Sequence, residues 1–71
     1  MNKEAGDELV RIEAAISRTL SRLARLNEMQ AHAAARRYGE ELDEIAQRVL
    51  KATSYASQLE ERRSQLQARL S

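Results

Sequence analysis

Apolar side chains return along the first half of the chain at steps of three and four residues: Leu9, Ile12, Ile16, Thr19, Leu23 and Leu26, with Gln30 and Ala33 as weaker members. That spacing lines them up on one stripe of an α-helix, and its seven-residue repeat seats a second helix along the stripe. A second series, Leu42, Ile45, Val49, Ala52, Ala56, Leu59, Arg63, Leu66 and Leu70, alternates in the same way. Only Arg63 interrupts it, and its aliphatic stem can lie along the seam while the guanidinium reaches water.

The two series are out of phase. Extending the first leads to Arg37, Glu40 and Glu44, whereas the second restarts at Leu42. Between them, Arg36 and Arg37 precede Gly39, and Glu40, Glu41, Asp43 and Glu44 follow it. Cations suit the negative end of one helix dipole and acids the positive start of the next, and glycine readily takes the left-handed conformation that ends helices. The pattern predicts an all-α chain, a coiled-coil-like two-helix antiparallel hairpin. Its first helix covers about residues 8–37, the turn about 38–39 and the second helix about 40–70, in a single domain spanning 1–71. Asp7 is the expected N-cap, with residues 1–6 frayed. The alternative is one continuous helix of about 60 residues, in which Ala31, Ala35, Tyr38, Leu42 and Ile45 carry the stripe through a shift of register. Interior glycine opposes that by only about 1 kcal/mol. The small run Ala33-Ala34-Ala35 favours the hairpin, because it lets two helices approach closely beside a tight turn.

Val10, Leu20, Met29, Leu50 and Tyr55 widen the stripe beyond what one facing helix covers, which suits a bundle of three or four helices. At 71 residues a lone core is marginal, and with no Cys and His32 as the single imidazole, association is the remaining common source of stability. The expected partner surface is Leu9, Ile12, Ile16, Leu20, Leu23, Leu26, Met29, Leu42, Ile45, Val49, Leu59 and Leu66, centred on Leu23, Leu26, Ile45 and Val49. The partner is a second copy or the helices of another protein. An Asp at Leu26 or Ile45 is expected to abolish that association.

Charge narrows the picture. Charged residues make up 32%, but 12 basic against 11 acidic side chains leave a net charge of +1, so there is no global pull toward nucleic acid or anionic lipid. The apolar runs are too short to span a bilayer and Met1–Glu4 shows no signal-peptide core, so a cytoplasmic address without a membrane span is expected. Residues 11–37 carry six Arg against two Glu, residues 40–61 six acids against Arg48 and Lys51, and residues 62–71 are basic again. Antiparallel folding is expected to lay a basic helix beside an acidic one and to bring the basic tail to Asp7 and Glu8.

No constellation suggests catalysis. Two helices provide no concave, water-poor pocket, and the sequence has neither a phosphate loop nor a Ser/His/Asp arrangement at usable spacing. A non-enzymatic chain is expected, with no catalytic residues, cofactor, metal or small-molecule substrate. One patterned charge feature remains: Arg11, Arg18, Arg25 and His32 are seven apart and form a ridge, with Arg22 beside it. Such a row can track phosphates, so a nucleic-acid-binding dimer is an alternative function, and a coiled-coil spacer is another. Glu13 and Glu28 interrupt the basic field, and no aromatic residue interleaves with the row.

The layout of two amphipathic helices of this total length, joined by a short junction with Tyr38-Gly39, resembles the small helical-hairpin co-chaperones of type III secretion needle proteins. The resemblance spans nearly the whole chain. It implies an all-α hairpin that stabilises a partner in the cytoplasm through the face bearing Leu9, Ile12, Ile16, Leu23 and Leu26, acting as a chaperone or adaptor.

Overall fold

A computed structural model describes residues 3–37 and 39–71. Two α-helices, α1 (Lys3–Arg36) and α2 (Gly39–Leu70), lie side by side as an antiparallel hairpin, and the continuous-helix alternative is excluded. The molecule measures 54 × 14 × 14 Å, close to the roughly 50 Å expected of a 34-residue helix at about 1.5 Å per residue. Among the described residues no helix is long and apolar enough to cross a membrane.

The hydrophobic seams form the interface between the helices. Near the turn, Leu26, Ala33, Ile45 and Ala52 are buried together, flanked by Leu23, Leu42 and Val49. At the open end, Ile12 and Ile16 pack with Leu66, flanked by Ala5, Leu9 and Leu59. Leu66 is fully buried. Each large side chain buried in this way contributes about 1.5–3 kcal/mol. Between the two clusters the seam narrows to small residues: Thr19 and Ala56 are buried there. The Thr19 hydroxyl donates to the Ala15 carbonyl at 2.7 Å, one turn back in its own helix, so the buried polar group is satisfied without a partner on α2. Arg63, the interruption in the second series, is half-buried, as expected of a side chain whose stem follows the seam.

Three details of the helix ends differ from the sequence expectation. Asp7 does not cap α1: the helix begins at Lys3 and Asp7 is an exposed residue within it. Residues 3–6 are therefore helical, and Ala5 packs against the open-end cluster; Met1 and Asn2 lie outside the described residues. Gly39 does not end α1 either. Among the described residues the left-handed one is Arg37, with φ 60°, and neither glycine has positive φ. The Arg37 N–H donates to the Ala34 carbonyl at 3.1 Å, which tightens the last turn of α1. Left-handed backbone costs a non-glycine residue about 1–2 kcal/mol, but it stops α1 early enough for Gly39 to open α2 in register, ahead of Glu40 and Glu41 in its first turn. Tyr38, expected in the turn, lies outside the described residues.

Candidate functional site

The seam organises the rest of the surface. At the open end the Arg62 guanidinium donates two bonds to the Glu8 carboxylate, Nε to Oε1 at 2.9 Å and Nη2 to Oε2 at 3.2 Å, and its Nη1 reaches Gln65 Oε1 at 3.3 Å. The basic tail thus meets the N-terminal acids as its charge pattern predicts. The bond from Arg62 holds the Glu8 carboxyl below the ordinary glutamate range; partial desolvation opposes the shift, and the charges of Arg62, Arg11 and Arg69 reinforce it. The same pair pushes the Arg62 guanidinium further up.

Glu8 and Arg62 flank the seam on the same side and fix the register. Seven residues further on α1, and seven back on α2, come Ala15 and Tyr55; another step gives Arg22 and Arg48, and a third gives Met29 and Glu41. The middle two steps enclose a shallow groove of about 290 Å³, lined by Thr19, Arg22, Arg48, Lys51, Ala52 and Tyr55. It continues past Ala15 and Arg18. Thr19 and Ala52 of the seam lie at its floor, and four exposed cations rim it. The expected match of a basic α1 against an acidic α2 is not made here. In the middle of the hairpin Arg22 faces Arg48, and Glu8–Arg62 is the one ion pair among the described residues.

The opposite flank has another character. From Val10 to Ala34 on α1 and from Asp43 to Gln67 on α2, helical geometry places no Lys or Arg on it. Val10, Leu20 and Leu50 stand there 66, 53 and 70% exposed. Exposed Ala24, Ala31, Ala34, Ser17 and Ser57 surround them, together with the exposed acids Glu13, Asp43 and Glu60.

Most residues expected to face a partner are used within the hairpin. Ile12, Ile16, Leu26, Ile45 and Leu66 are buried, and Leu9, Leu23, Leu42, Val49 and Leu59 are half-buried against them. Only Leu20 and Met29 of that set remain exposed, Leu20 on the cation-free flank and Met29 on the basic one. An Asp at Leu26 or Ile45 would thus disrupt the hairpin itself. Of the arginine row, Arg18 and Arg22 line the groove while Arg11 and Arg25 extend along the ridge beside it. Arg48, Lys51 and Tyr55, which complete the groove, are absent from the sequence-based site. For Tyr55 and Arg48 the signal is the seven-residue step back along α2 from Arg62, and Lys51 lies one turn beyond Arg48; both are legible only with the antiparallel register in hand. His32 is exposed. Among the described residues, no group of His, Asp and Glu side chains is placed to hold a metal.

Comparison with family models, with curated proteins and with solved structures returns no match. The fold and surfaces define a class: a slender all-α hairpin with one basic flank and one flank that lacks cations and mixes apolar, small and acidic residues.

Proposed function

We propose that this chain is a non-enzymatic interaction module that pairs with helices of a second polypeptide, in the first place another copy of itself, through the cation-free flank. The observation that supports the reading most directly is the exposure of Leu20 and Leu50 on a flank without Lys or Arg. Small neighbours such as Ala24 and Ala31 permit close helix approach, and a two-fold axis across such a flank builds a four-helix bundle. Shape adds a second argument. The accessible surface is 5584 Å², whereas a compact monomer of 8.1 kDa exposes about 4,500 Å². The excess, about 1,100 Å², is of the order one partner contributes to a standard interface. Where the partner is a different chain, sheltering its amphipathic helix is the chaperone or adaptor activity that the co-chaperone resemblance implies.

The test is sedimentation of the purified chain across a wide concentration range, with Leu20→Asp and Leu50→Asp compared. Self-association that weakens in both variants, with helicity retained, supports the reading. A folded monomer at every concentration that also captures no helical partner refutes it.

A further inference from the structure

We infer that the groove between Arg22 and Arg48 binds single-stranded nucleic acid, with the cations holding phosphates and Tyr55 stacking on a base. Four observations meet at this place. Arg18, Arg22, Arg48 and Lys51 line one continuous depression with no acidic residue on its walls. Among the described residues none of the four makes an ion pair; the pair found there is Glu8–Arg62, at the far end of the same flank. Arg22 and Arg48 line the same depression from opposite helices, two repeats from the place where this hairpin sets opposite charges together, so a bound anion would lower their mutual repulsion. Finally, Tyr55 lies in the same depression, 51% exposed, and so offers a flat aromatic surface within reach of whatever the cations hold.

The chemistry selects the ligand. Three of the four cations are guanidiniums, whose planar fork suits two oxygens of one phosphate. An acidic helix supplies carboxylates to such a groove, but it has no planar face for Tyr55. A single strand supplies both a charge track and bases that stack without regard to sequence. The volume, about 290 Å³, is of the order of a single nucleotide unit. Arg11 and Arg25 continue the track along α1 in both directions from Arg18, at intervals of about 10 Å. The site faces away from Leu20 and Leu50, so it does not depend on the proposed association.

The experiment is fluorescence anisotropy of a fluorescein-labelled oligouridylate titrated with the full chain, alongside an oligoglutamate peptide of matched charge as competitor. Binding with Kd of order 10⁻⁴–10⁻⁶ M is expected, weakening with salt at a log–log slope of about −2 to −3, since each phosphate on a single strand contributes about −0.7. Tyr55→Ala should weaken binding about fivefold or more at unchanged salt slope. Arg22→Glu should weaken it more than tenfold while melting no lower than the parent chain, because the new carboxylate faces Arg48 as Glu8 faces Arg62, so unfolding does not explain the loss. Leu20→Asp should leave oligouridylate affinity unaltered, which separates this site from the association surface. Affinity indifferent to Arg22→Glu and Tyr55→Ala overturns the inference. So does displacement by oligoglutamate at equal concentration, which would give the groove to an acidic protein segment.

Discussion

Arg22 on α1 stands opposite Arg48 on α2, two seven-residue repeats from the position where Glu8 accepts two bonds from Arg62. One flank of one seam therefore holds an attractive pair at its end and a like-charged pair at its middle. Local helix chemistry does not require this, since either position would accept either sign. The arrangement makes stability at the two positions respond oppositely to charge-reversing substitution and to salt.

Arg48→Glu should stabilise the hairpin by about 0.2–1 kcal/mol, the range of exposed pairs, by replacing repulsion with attraction. Thermal melting followed by circular dichroism would show a higher midpoint than the parent chain at low salt. The gain should shrink as sodium chloride is added, since exposed charges are screened. A lower midpoint at low salt would contradict the facing of Arg22 and Arg48.

The Glu8 carboxyl has its proton affinity lowered by folding, through its bond from Arg62. A group with a depressed folded value stabilises the fold at pH above its unfolded value, and that contribution disappears as pH falls through the folded value. Arg62 stays protonated throughout. Melting midpoints should therefore decline on acidification through and below the ordinary glutamate range. Glu8→Gln should lower the midpoint at neutral pH and reduce that decline. The pair is roughly one-third exposed on each side, so both effects should be small.

Leu66→Ala removes the side chain that is fully enclosed at the open end. Losses of about 2–5 kcal/mol are typical for such truncations. A chain of this size has a total stability of roughly 4–10 kcal/mol, so a large part of it should go. Urea unfolding would report the shift in midpoint. Thr19→Val should be close to neutral in the same assay: it deletes a hydroxyl whose acceptor, the Ala15 carbonyl, keeps its own helical hydrogen bond.

At the turn, Gly39→Ala should stabilise the chain by about 0.5–1 kcal/mol, because Gly39 is helical and nothing lies within 4 Å of where its Cβ would stand. Arg37→Gly should also stabilise, by relieving the left-handed strain at φ 60°. Had Gly39 been the left-handed residue, the signs would reverse. The two melting curves thus decide which residue makes the turn.

The division between what the sequence revealed and what it hid follows the range of the interactions involved. Leu9 through Ala33 and Leu42 through Leu70 mark their seams through neighbours three and four residues away, so both helices and their buried stripes were legible. The break in phase at Leu42 was enough to place the turn within two residues. The left-handed residue was not legible, because Arg37 takes that conformation to satisfy a register set by packing along both helices, against its own backbone preference. Asp7 misled for a related reason: a good cap residue is also tolerated inside a helix when the apolar contact of Ala5 extends the helix past it. The groove was hidden most deeply. Tyr55 lies 33 residues from Arg22, and only antiparallel pairing makes them neighbours.

The waist at Thr19 and Ala56 has a bearing on how the molecule is made and unmade. It leaves the leucines and isoleucines in two blocks of unequal reach: Leu26 meets Ala52 across a short span of chain, whereas Ile12 must find Leu66 across about twice that length. Loop-closure entropy therefore favours the block beside the turn as the first to assemble, with the outer block closing onto it afterwards like a zip. On the way back the order reverses. The tips of the two rods part first, each carrying a set of branched side chains into solvent, while the inner half holds them within reach of one another.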